Sequence, residues 1–190
     1  MRLIPYSRLV AAPWKNGGGE TREIAVSPSG AGYDDFDWRL SIATIAEDGA
    51  FSAFPGIDRT LILLAGKGVA MQLGDQGEHV LQSGQRLQFA GEQIVQSRLL
   101  DGTVQDLNVM LRRDRMTGHI DTEPLKRRTV LDLGIGGGAI LVCEGQAVLS
   151  DGTVLGRWDT ILSEADDMEQ ITLTGKAGLI LIRFHPVPCA

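Results

Sequence analysis

The chain is poor in the residues that carry most metal, redox and nucleophilic chemistry. Its 190 residues include two cysteines and three histidines. Cys143 and Cys189 stand far apart, so no disulfide framework is expected and a reducing compartment fits. Cys143 lies in the apolar run AILVCEG, where burial in a core is expected. Cys189 is next to last and carries no expected role. His79, His119 and His185 are scattered, and His79 follows the polar hairpin GDQGEH, which predicts exposure. Positive charge is also short: 18 Lys and Arg stand against 24 Asp and Glu, for a net charge of −6. Nucleic acid is therefore not an expected partner, because phosphate binding needs a basic footprint. No segment approaches the roughly 20 apolar residues of a membrane span, so no membrane partner is expected. Met1 to Ala12 carries Arg2 and Arg8 but no continuous apolar stretch, which predicts no export signal and a cytoplasmic location. No G-x-S-x-G nucleophile elbow occurs, nor a Walker loop, nor a G-x-G-x-x-G opening a helix.

What is abundant is strand-like alternation punctuated by 24 glycines. DWRLSIATIA places Trp38, Leu40 and Ile42 on one face and Arg39, Ser41 and Ala43 on the other. TREIAV places Arg22, Ile24 and Val26 together. RTLILLAGKG, VAMQLG, HVLQSG, QRLQFAG, IVQSRLLDG, VQDLNVMLRR, RTVLDLG, AILVCEGQAVLSDGT, DTILSE, QITLTG and GLILIRF continue the pattern, and no long amphipathic helix interrupts it. Closely spaced short strands predict an all-β sandwich or barrel. A faint internal echo links LLAGKGVAMQLGDQGEHVLQSGQRLQFAGE to LVCEGQAVLSDGTVLGRWDTILSEAD. The polar, Arg-rich segment near residues 112–128 reads as a crossover between halves. Two small β-barrels are expected, residues 1–115 and 116–190, packed as one compact unit.

Two stretches hold the candidate binding groups. In VQDLNVMLRR, Val104, Asp106, Asn108, Met110 and Arg112 share one face, and Gln105, Leu107, Val109, Leu111 and Arg113 the other, where the three aliphatic residues form an apolar strip. At strand rise Asp106 and Asn108 are about 7 Å apart, close enough to share a small ligand, and Arg112 is about 20 Å from Asp106. Polarity alone leaves this face open to two readings, solvated or pocket-lining. The second stretch is APWKNGGGETREI, whose glycines permit positive φ and close backbone approach. Successive N–H groups there can form an anion-binding nest, and Lys15 and Asn16 add charge and hydrogen-bonding groups. A plain connector whose Trp14 plugs the end of a barrel is the alternative. Arg39, beside the small Ser41 and Ala43, leaves room for a carboxylate, and Arg22 and Arg59 are further candidates for such a fork. Only four of the 18 basic residues are lysines, which leans the same way.

PWKNGGGETREIAV, DWRLSIATI, GAFSAFPGIDRTLILLAGKG and DLNVMLRR, in that order across residues 13–113, resemble the HutD/Ves family. The resemblance implies a bicupin: two small RmlC-like, jelly-roll cupin barrels in one bacterial chain. It also implies a role in histidine utilisation, in which a pathway metabolite is bound and the level of the system is set. Metal-binding cupins carry a His-x-His pair and a Glu in their first motif and a His in their second. Here Phe54, Pro55, Gly56 and Ile57 occupy the first stretch, and GQRLQFAGEQIVQSRLLDGTVQDLN has no histidine. No metal and no cofactor are expected.

The expectation is therefore a small-molecule-binding protein rather than a catalyst. Its partner would be a small anionic carboxylate metabolite, urocanate or N-formylglutamate by the resemblance. Lys15, Asn16, Arg22, Arg39, Ser41, Arg59, Asp106 and Asn108 are its candidate ligand-binding residues. Two other classes stay open. A metal-independent isomerase or epimerase would draw its acid/base pair from Glu20, Glu23, Asp58 and Asp106. A protein-interaction module would dock a partner, and a homodimer is possible.

Overall fold

Where apolar and polar residues alternate, the chain pairs into antiparallel strands, since only a period of two puts every second side chain on one buried face. The structure, a computed structural model, describes residues 1–165 and 170–188. Cys189 lies outside the described residues. The chain forms two compact units, Val10–Arg115 and a second made of Met1–Leu9 with the chain from Met116 onward. The expected division ran the first unit from residue 1. Instead Arg2–Ile4 finds a strand edge in the second unit and pairs antiparallel with Thr160–Ser163. Tyr6 anchors the same segment: its N–H donates to Asp159 Oδ1 at 2.8 Å, and its ring meets Trp158 edge-on at 4.9 Å.

The first unit holds a six-stranded sheet, in spatial order Ala11–Pro13, Gly19–Ser27, Trp38–Ile45, Val104–Arg112, Ile57–Ala65 and Arg86–Ala90. Its second sheet has four strands, in the order Gly49–Ala50, Val95–Leu99, Val69–Leu73 and Glu78–Leu81. Ile45, Leu61, Leu63 and Val104 from the larger sheet pack against Val69, Met71, Leu73 and Val95 from the smaller. The closed barrel expected from turn spacing is here a pair of open sheets. Closure needs edge strands able to carry the ladder on, and Ala11–Pro13 and Gly49–Ala50 are three and two residues long.

The second unit is one seven-stranded sheet, Arg2–Ile4, Thr160–Ser163, Gly138–Leu149, Ile171–Pro186 and Met116–Leu125, with Thr129–Leu131 and Val154–Leu155 attached. Three expectations change here. QITLTG and GLILIRF form a single 16-residue strand, Ile171–Pro186. It runs through Gly178, where a Cβ would lie 2.8 Å from Cys143 Sγ. The segment read as a crossover contains the strand Met116–Leu125. Only Met116, Ile120 and Leu125 of this strand are buried, and Thr117, Gly118, His119, Thr122 and Pro124 are exposed, so no apolar alternation announces it. Cys143 is half-buried rather than core, because it is the extra residue of a bulge between Val142 and Glu144. Among the described residues no helix is long and apolar enough to cross a membrane.

Candidate functional site

Cross-strand partners share a face of a sheet, so the register builds the site row by row. On the inner face of the six-stranded sheet, Asp106 stands between Ala43 and Leu63, Asn108 between Ser41 and Leu61, and Met110 between Arg39 and Arg59. The grouping of Arg39, Ser41 and Ala43 read from alternation is the grouping found. The grouping of Arg22, Ile24 and Val26 is not. A bulge between Glu23 and Ala25 makes Ile24 the extra residue, so Val26 pairs with Arg39 while Arg22 pairs with Ile42, on the opposite face.

Toward Val104 this inner face is covered by the four-stranded sheet and is apolar. Toward Met110 the opposing wall is the segment 50–54, and a cavity of about 620 Å³ opens between them. Lys15, Asn16, Arg39, Ser41, Arg59 and Asn108 line it. Arg22 and Asp106 do not. Arg22 donates to Glu20 Oε1 at 3.0 Å, and Asp106 lies wholly buried behind Asn108. Arg112 also stays away, donating to the carbonyls of Phe36 and Asp34.

Arg59 is the most constrained side chain of the cavity. It is 5% exposed, and its guanidinium sits 5.2, 5.4 and 5.0 Å from the ring centres of Phe51, Phe54 and Phe89. Its Nη1 donates to the Ser52 carbonyl at 3.2 Å and its Nη2 to Asn108 Oδ1 at 2.8 Å. Its Nε is buried without a hydrogen-bond partner. Both bonded partners are neutral, so no carboxylate touches this buried cation. Burial lowers its pKa to about 10, with Arg39 adding repulsion and Asp106 opposing both, so it stays charged at neutral pH.

Arg39 faces the same space and is better compensated. Its Nε donates to Glu23 Oε2 at 2.8 Å, its Nη2 donates to the Tyr33 hydroxyl at 3.3 Å, and its guanidinium lies 4.7 Å from the Tyr33 ring centre.

Behind the wall, Asn108 Nδ2 donates to Asp106 Oδ2 at 2.5 Å, while Asp106 Oδ1 is buried with no partner. Burial pushes the Asp106 carboxyl up to about 7, against the pull of the Arg59 charge and the Asn108 hydrogen bond. None of the other acids considered for acid/base work lines the cavity. Glu20 pairs with Arg22, Glu23 with Arg39 and Asp58 with Arg113.

The Gly-rich stretch proves to be the tip of a hairpin joining Ala11–Pro13 to Gly19–Ser27. Gly17 has φ +77, and a Cβ on Gly19 would stand 2.3 Å from the Thr44 carbonyl oxygen, so both positions require glycine. Trp14 lines the cavity and donates from Nε1 to Thr21 Oγ1 at 2.8 Å, which holds the tip in place. Asn16 Oδ1 accepts from the Gly18 N–H at 3.2 Å, leaving its amide nitrogen and Lys15 at the rim. Sequence reasoning missed Tyr33, Phe51 and Phe54. They come from segments without periodicity, and the one available signal was the paired phenylalanines of FSAFPG just before Arg59. Among the described residues, no three His, Cys, Asp or Glu side chains gather where they could hold a metal ion.

The HutD family model matches residues 6–181. Protein Ves of Citrobacter koseri is 40% identical over 152 residues, which cover 80% of this chain and 77% of that protein. HutD from Pseudomonas fluorescens SBW25 superposes with a TM-score of 0.85 at 27% identity, covering 98% of this chain and 99% of that one. A cupin 2 conserved barrel domain protein from Leptotrichia buccalis superposes with a TM-score of 0.62 at 11% identity, covering 97% and 96% of the two chains, a likeness of fold alone. The fold is thus all-β and cupin-like. Since the family match runs from the N-terminal segment through both units, the chain belongs to the HutD family.

Proposed function

We propose that this protein is a non-catalytic receptor for a small anionic metabolite, held in the cavity of its first unit. The observation that carries the reading is Arg59: a buried guanidinium, bonded only to neutral groups, in a cavity that it shares with a second arginine. A cation taken out of water without an ion pair is costly, and a ligand carboxylate on its free donors offsets that cost. Arg39, Ser41 and Asn108 supply further polar contacts on the same face, and Lys15 and Asn16 stand at the entrance. Among the described residues no carboxylate lines the cavity, which speaks for binding over isomerase or epimerase chemistry, since that needs an acid/base group in reach of the substrate.

Family membership suggests the metabolite. In a histidine-utilisation setting the two candidates are urocanate and N-formylglutamate, and the bound protein would modulate that pathway from the cytoplasm. The two units are read as the two cupin modules of a bicupin. Titration calorimetry of the purified protein with both acids tests the assignment. Saturable heat with either one, lost in Arg59→Leu, is expected. Heat with unrelated carboxylates but with neither pathway acid sinks the assignment while keeping the anion site.

A further inference from the structure

The hydrogen-bonded row Asp106–Asn108–Arg59 runs from the interior to the cavity, and its inner end has no stated task. The Asn108 carbonyl must face Arg59 Nη2, since its amide nitrogen there would set donor against donor. Its NH2 is therefore turned to Asp106 Oδ2. With the amide fixed in this sense, Asp106 is the member of the row whose charge can change. The other Asp106 oxygen, Oδ1, is fully enclosed and has no donor.

Few charges surround it. Its own strand neighbours are Ala43 and Leu63; Arg39 and Arg59 share its face of the sheet further along, on either side of Met110, and of the two it is Arg59 whose charge acts on it. Glu23, on the next strand, is engaged by Arg39. The opposing sheet presents Val69, Met71, Leu73 and Val95. Lys15 and Tyr33 belong to the cavity lining rather than to the buried row. The positive charge of Arg59 is thus what chiefly favours the ionised form of Asp106. An anion laid on Arg59 cancels that field.

We propose that the cavity takes up its anion together with a proton, and that the proton goes to Asp106 Oδ1. This rests on the anion-binding reading above. The protonated carboxyl still accepts from Asn108 through Oδ2, so the geometry at Arg59 survives the change of charge. The free protein already holds Asp106 near its titration point at neutral pH, so the exchange falls in the working range. The sign follows from linkage. Where the bound form holds more protons than the free form, affinity falls as pH rises, by up to about tenfold per pH unit.

The test is calorimetry on the whole chain with N-formylglutamate, whose carboxylates stay ionised above about pH 6. Runs at pH 8 in triethanolamine and in Tris, amine buffers of different ionisation heat that add no competing anion of their own, read proton uptake directly. Expected is uptake of about half a proton or more per anion bound, with Kd weakening several-fold between pH 8 and 9. Asp106→Asn keeps the shape of the neutral carboxyl, and it is expected to bind with no proton exchange and a flat Kd over that range. Zero uptake by the unaltered protein overturns the proposal, and so does equal uptake by Asp106→Asn. The buffer comparison on the unaltered protein decides even where the variant fails to fold. Absence of heat with N-formylglutamate, urocanate and acetate alike, at pH 6 and 8, removes the anion reading and this inference with it.

Discussion

The two units are both built of antiparallel strands, and their interiors are filled differently. In the second, Ile140 stands between Ile161 and Leu181, and Val142 lies opposite Leu179. All belong to one apolar cluster with Leu125, Leu149 and Leu173. In the first, the corresponding kind of row reads Ser41–Asn108–Leu61 and Arg39–Met110–Arg59. Buried polar residues described in the second unit are Thr160 and Ser163, both uncharged; the first buries Arg39, Arg59, Asp106 and Asn108. What sets the first interior apart is that its two buried guanidinium groups have built surroundings: three phenyl rings and two acceptors for Arg59, a carboxylate and a tyrosine for Arg39.

That contrast can be broken most sharply by moving a charge into the unit that lacks the support. Leu181→Arg puts an unpaired cation among Ile140, Leu179 and their neighbours. It is expected to cost about 3–5 kcal/mol, read as a large fall in the urea midpoint. The reverse exchange, Arg59→Leu, should leave the chain folded and weaken anion binding by about 100-fold or more, read by calorimetry.

A third expectation concerns pH and the ligand-free protein. Asp106 has a folded-state pKa of about 7, above the ordinary 3.8. The folded form therefore keeps a proton that the unfolded form has released between those values. Stability from this group is greatest below about pH 4 and is lost as pH rises through 7, by at most about 1.4 kcal/mol per unit. Urea unfolding of the unaltered chain against Asp106→Asn should show the difference moving in favour of the unaltered chain as pH falls from 7 to 4. No trend would mean that Asp106 carries no shifted proton. Arg39→Lys keeps the charge but loses the planar fork, for a loss of about tenfold in anion affinity. Lys15→Ala, at the exposed rim, should cost about two- to threefold, and the loss should vanish in 0.5 M salt.

Much of the site could be read from alternation. Alternation put Arg39 with Ser41 in DWRLSIATIA and Asp106 with Asn108 in VQDLNVMLRR, and the register joins those faces through Ser41 and Asn108. Arg22 was misplaced because one extra residue at Ile24 reverses the side on which later residues point. Tyr33, Phe51 and Phe54 escaped because they stand outside any strand, where no period ties a side chain to a face. Asp106 was assigned to the ligand along with Asn108 because alternation gives the side of a sheet and says nothing of depth.

The sequence by itself determined an all-β chain, the family it belongs to, and which polar residues would share a side of the central strands. These are local properties, set by a two-residue period and by short motifs. Tertiary structure decided that the first nine residues complete the second unit, that Arg59 is ringed by phenylalanines, and that Asp106 sits behind the cavity and not in it. Those outcomes depend on what lies across from each strand: Met71 and Val95 over one end of the inner face, the segment 50–54 over the other. Residues far apart in the chain supply those coverings, and only packing brings them together.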